Sequence, residues 1–161
     1  MRINRYNVLM QEEKIPQLVK EGTTLYPELQ GITSPGDAVR IMADVFFLDK
    51  NIEENVYLIA LGSQGRVLGF FHLNKGCVDC SMVDVRGMMV RLLLCNAASF
   101  LIVHNHVSGD ATASKEDFYM TERLKRVSDI MGIRFLDHII IGEQYRYFSF
   151  QEEVWSKDGT G

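Results

Sequence analysis

Residues 99–104 read SFLIVH, an apolar run without polar alternation and of strand length. Such a run fits a central strand of a sheet. Helical patterns stand on both sides of it. Residues 83–98 carry Met89, Leu92, Leu93 and Ala97 at helical spacing, and residues 114–131 place Phe118, Thr121, Leu124, Val127 and Met131 on one side. Earlier, residues 55–61 (NVYLIAL) are β-rich, residues 62–65 (GSQG) turn, and residues 66–73 return, which reads as a hairpin. Residues 134–141 and 146–150 read as strands around the turn at 142–144. A further helix opens at SPGDAV: Ser34 suits the N-cap and Pro35 the first helical position, followed by Val39, Met42, Ala43 and Phe46. Strands interleaved with helices indicate an α/β domain, and the hairpin makes its sheet mixed.

A chain of 161 residues suits one domain. Residues 1–32 show no clear element and are read as an N-terminal extension, residues 33–155 as the domain, and residues 156–161 as a frayed tail. The formal net charge is −4, from 17 Lys and Arg against 21 Asp and Glu. Duplex-DNA binders draw affinity from phosphate neutralisation and usually carry a basic balance, so this one argues against DNA as partner. Three cysteines are too few, and odd in number, for a disulfide framework. No signal segment or membrane span is visible, and a cytoplasmic location is expected. The pair Cys77 and Cys80 forms a C-x-x-C, but no second such pair exists to complete a structural zinc site.

The chemistry concentrates in VHNHVSGDATASKED, residues 103–117. His104 and His106 follow the apolar strand at i and i+2, so both rings point to one face and can reach one cation. Gly109 permits a tight turn, Ser114 opens a helix, and Asp117 lies in its first turn. If the turn folds back, Asp117 supplies a third ligand. Two imidazoles and a carboxylate, with a fourth position left to water, is the layout of a catalytic zinc site. Zn2+ lowers the pKa of bound water to about 7. Taken alone, Ser114 and Asp117 also fit a capping box. His72 and His138 read as ordinary strand histidines, Asp110 as a turn residue, and Asp137 as a solvated or structural aspartate, with an acceptor behind a ligating ring as the alternative. A zinc deaminase would carry H-x-E before P-C-x-x-C, and no H-x-E occurs here.

The order His-x-His, seven residues, Ser, two residues, Asp is met by His104, His106, Ser114 and Asp117, and it resembles the JAMM signature of the MPN+ metalloproteases. The wording around it resembles one bacterial branch, the RadC family: HNHVSGD, LDHIIIG, KGCVDCSMVDVRG with Arg86, and EENVYLIALGSQGRVLG. The resemblance covers roughly residues 33–150. It implies an MPN core related to the cytidine-deaminase fold, with zinc on His104, His106 and Asp117. It further implies Glu54 as general base, with Glu53 as the neighbouring alternative, and Ser114 as hydrogen-bond donor to the oxyanion. The reaction implied is hydrolysis of a peptide or isopeptide bond in an unknown peptide or protein substrate. The alternative is a non-catalytic MPN scaffold or DNA-repair-associated accessory module. Val107 and Ala113 stand where the branch has proline, and Gly87 where it has an acidic residue. Residues 1–32 do not resemble the helix-hairpin-helix region of full RadC chains.

Overall fold

The computed structural model describes residues 1–75 and 83–157. Seven strands form one sheet: β1 (Arg2–Met10), β2 (Pro16–Leu25), β3 (Asn55–Leu61), β4 (Val67–Lys75), β5 (Ser99–Asn105), β6 (Arg134–Ile141) and β7 (Tyr147–Ser149). Among the described residues three α-helices accompany them: α1 (Pro35–Phe46), α2 (Val85–Leu94) and α3 (Lys115–Met131). A single π-helical turn, Gln151–Trp155, follows β7. The strand order is β2-β1-β4-β3-β5-β6-β7. β5 pairs antiparallel with β3 and parallel with β6, so the sheet is mixed as expected.

Local chemistry accounts for the helix starts. Ser34 accepts from the Asp37 amide while Asp37 reaches back to the Ser34 amide, and Pro35 occupies the first turn. Ser114 and Asp117 form the same reciprocal cap on α3. α2 runs shorter than the reading over 83–98, because Asn96 turns into the left-handed region and Ala98 already pairs with Leu61. The Cys77–Cys80 pair lies outside the described residues. Among the described residues, no helix is long and apolar enough to cross a membrane.

Every residue of β5 is buried, as expected of a central strand, and it lies between β3 and β6. Because side chains alternate along a strand, odd and even positions feed separate cores. Ile59, Leu61, Leu101, Val103, Ile139 and Ile141 pack with α1 residues Val39 and Met42 on one face. Leu58, Ala60, Phe100 and Ile102 pack with Met88 and Leu92 of α2 and Met120 and Leu124 of α3 on the other. His104 is even-numbered and belongs to the face that α2 and α3 cover.

Residues 2–25, read as part of an extension, form an antiparallel hairpin whose first strand lies parallel to β4. They continue the sheet. The stripe expected on α3 is also displaced. Thr121 and Leu124 lie inside as expected, together with Asp117, Met120 and Ser128, while Phe118 and Met131 are partly exposed, at 44% and 39%. The inward face is rotated so that a carboxylate, not an aromatic ring, enters the interior.

Candidate metal centre

Four elements deliver the site. β5 carries His104, and His106 follows directly at its end, where the His106 amide donates to Ile141 O at 3.0 Å. The chain then reverses through residues 106–109. Gly109 has φ +78°, a conformation open to glycine at little cost. Gly142 lets this turn sit against the β6–β7 connection: a Cβ there would stand 2.3 Å from Gly109 O. The turn aims Asp110 O at His106 Nδ1, 2.9 Å away. The Asp110 carboxylate holds Thr112 through its amide and hydroxyl, as a turn residue does. α3 then begins, and its first turn lays Asp117 under both rings.

His104 Nε2 lies 3.1 Å from Asp117 Oδ1, and His106 Nε2 lies 3.3 Å from Asp117 Oδ2. His104 and Asp117 are almost wholly buried, and the His106 side chain is 15% exposed. Ser114 donates to Oδ2 through its amide at 2.8 Å and its hydroxyl at 2.6 Å, so the cap fixes the carboxylate with Oδ1 turned away from it. His104, Asp117 and His138 bring ligand-type atoms within 4.8 Å of one another, a buried group that could hold a metal ion.

The donor chemistry fits a cation. A carbonyl only accepts, so His106 Nδ1 carries its proton toward Asp110 O, and the neutral ring turns a lone pair at Asp117. His104 Nε2 and Asp117 Oδ1 stand close without the angles of a hydrogen bond, and neither has another hydrogen-bond partner among the described residues. Buried polar atoms left this way cost roughly 1–3 kcal/mol each. Burial alone would raise the Asp117 carboxyl, but the two imidazoles hold it far below the usual carboxylate range. The Asp117 carboxylate beside Nε2 raises the pKa of His106, so without a cation between them this ring more readily takes a second proton. The pocket keeps a negative charge beside two ring nitrogens, the environment a divalent ion requires.

Glu54 reaches the site through pairing that spacing alone does not reveal. Val56 is opposite His104 in the antiparallel β3–β5 register, which extends to place Glu54 across from His106. The Asn55 amide donates to Asn105 Oδ1 at 2.8 Å, and both Asn55 Nδ2 and Asn105 Nδ2 donate to Glu53 O, pinning the strand start. The Glu54 charge acts on His106. Glu53 instead turns outward to an exposed ion pair with Lys75 at 3.4 Å. His72 behaves as an ordinary strand histidine, bonded to Asn55 Oδ1 and stacked on Tyr57. Arg86 is exposed on the first turn of α2.

Asp137 does not stand behind a ligating ring. Alternation sends it to the α1 face, where Ser149 Oγ and the Gln151 amide donate to it at 2.6 and 2.9 Å. Its neighbour His138 takes the place expected of it, with Nε2 2.9 Å from His104 Nδ1. Thr121 and His138 are the polar participants that sequence reasoning missed. The available signal was a histidine directly before the apolar run of Ile139, Ile140 and Ile141.

Burial pushes the Asp137 carboxyl up to about 6. The native state therefore retains a proton that the unfolded chain releases near pH 4, and ionising it costs stability progressively until about pH 6. Two pK units correspond to about 3 kcal/mol. Asp137→Asn retains an acceptor and adds a donor without the charge. It is expected to exceed the parent in stability by about 1–3 kcal/mol above pH 6, with the gap closing toward pH 4, as read from urea midpoints across pH.

Residues 32–155 match the family described as the RadC-like JAB domain. A UPF0758 protein of Thermotoga maritima is 35% identical over 136 residues, covering 82% of this chain and 60% of that protein. A UPF0758 protein of Histophilus somni is 38% identical over 126 residues, 78% of this chain and 55% of that one. One from Clostridium acetobutylicum is 38% identical over 122 residues, 76% and 52%. The chain thus spans a little over half the length of these curated relatives. With a mixed sheet covered by helices and a histidine–carboxylate group at the end of its central strand, the chain belongs to the RadC-like JAB domain family.

Proposed function

We propose that the chain is a zinc-dependent hydrolase acting on a peptide or isopeptide bond. The observation that carries this reading is the facing pair His104 Nε2 and Asp117 Oδ1, buried, 3.1 Å apart and without another hydrogen-bond partner among the described residues, with His106 Nε2 alongside. His104, His106 and Asp117 are the proposed ligands. A zinc ion held there would supply Lewis-acid activation of water near neutral pH.

The chain's own residues do the rest. Glu54 takes the proton of the attacking water and returns it to the leaving amine, from a position across the strand pair from His106. Asn55 and Asn105 keep that carboxylate's backbone in place. Ser114 holds Asp117 Oδ2 in the resting state. Its hydroxyl swings off Oδ2 to donate to the oxyanion, while its amide keeps the carboxylate oriented.

The test is elemental analysis of protein reconstituted with zinc, alongside cleavage of a panel of peptide and isopeptide substrates. About one zinc per chain with cleavage of at least one panel member is expected. A protein that takes up no zinc, and whose melting temperature does not respond to it, would overturn the reading.

A further inference from the structure

We propose that Thr121 and His138 are positioning residues that order the protons of the His104 ring, so that its Nε2 always meets the cation bare. The inference rests on the metal-binding reading above.

The order follows from which groups can only accept. Thr121 sits one turn after Asp117 on α3, buried, with Oγ1 2.6 Å from Asp117 O. A backbone carbonyl has no proton to give, so the threonine hydroxyl donates to it. Oγ1 has then spent its one proton and must accept at its other close contact, His138 Nδ1, 2.7 Å away. Neutral His138 thus carries its proton on Nδ1 and leaves Nε2 as an acceptor. That atom lies 2.9 Å from His104 Nδ1, which must donate. His104 is left with a lone pair on Nε2, aimed at Asp117 Oδ1. The relay starts at the main chain of Asp117 and ends opposite its carboxylate, so one helical turn sets both ends.

The surroundings hold the relay in place. His138 is fully buried and lies parallel to Phe150, ring centroids 5.0 Å apart, with Phe118 edge-on behind. Both of its nitrogens are engaged inside the protein, which makes it a support for His104 and not a fourth ligand. His106 needs no such relay, because Asp110 O orders its protons directly. A ring that donates from Nδ1 to a fixed acceptor is held in orientation and tautomer, and losing such support typically lowers metal affinity 10–100-fold.

Two readouts test this. The first is long-range proton–nitrogen NMR of 15N-histidine protein without metal, at a pH where His138 is neutral. His138 is expected in the Nδ1–H form; an Nε2–H ring would overturn the proposal. The second is zinc affinity by chelator competition for the parent, Thr121→Val and Thr121→Ser, with melting of the metal-free proteins as a check on folding. Val removes the acceptor at nearly constant shape and should weaken zinc 10–100-fold. Ser retains the acceptor and should bind like the parent. A folded Val variant that binds as tightly as the parent, or a zinc-bound parent whose His138 nitrogen reports direct coordination, overturns it. If the parent binds no zinc, the proposed function fails, and the tautomer measured in the metal-free protein still decides the proton order.

Discussion

Glu54→Gln is expected to retain the zinc of the parent while losing roughly 10²–10⁴-fold in hydrolysis rate, the usual consequence of deleting a general base. The amide is nearly isosteric but takes no proton from water. The strand register sets Glu54 across from His106, and the Asn55–Asn105 bonds that hold this start of β3 are untouched by the change. Glu53→Gln is the matched control. Its side chain is committed to Lys75 at the surface, and the variant should cleave at the parental rate. Equal rates for Glu54→Gln and the parent would move the base elsewhere, and loss of zinc from that variant would make Glu54 a ligand.

His106→Ala should show the other large effect. It removes a proposed ligand from the open side of the site and leaves the contacts among His104, His138 and Thr121 untouched. Zinc affinity should fall by more than the roughly 100-fold that loss of a supporting contact costs. A ligand present at 100 times its Kd stabilises the native state by about 2.7 kcal/mol. For a domain of this size that is a rise of roughly 5–10 °C in melting temperature. The parent should show this rise on zinc addition and the variant should not, while the two metal-free proteins melt within a few degrees of each other. A variant that gains the full shift would remove His106 from the ligand set.

What could be read from the sequence was what is local. The helix starts at Ser34 and Ser114 and the strand over 55–61 appear where residue type and spacing place them. His104, His106 and Asp117 were legible because one strand and one helical turn carry all three. His138 lies 34 residues from His104, and Asn105 is 50 from the Asn55 it holds. These meet only when strands pair, and no periodicity records a register. The α3 stripe is offset at its start because a hydrophobic rule sends Phe118 inward, whereas Asp117, held by its reciprocal cap with Ser114, takes the buried position. The hairpin of β1 and β2 was missed for a related reason. Within its two strands only Ile3 is fully buried, so neither shows a continuous apolar run.

That hairpin also decides where the sheet ends. β4 runs VLGFFHLNK, with Phe70 and Phe71 buried, and its free side would expose a row of amides and carbonyls beside an apolar surface. An edge of that kind invites templated pairing between molecules. β1 pairs with it at Arg5 and Phe70 and passes the open margin to β2, which begins at Pro16 and presents Lys20 and Glu21 to solvent. The β1–β2 register also breaks between Arg5 and Tyr6, the kind of irregularity that discourages an incoming strand. At the opposite margin β7 is only three residues long. The first twenty-five residues therefore move the open margin of the sheet from β4 to β2, away from the histidine–carboxylate group at the end of β5.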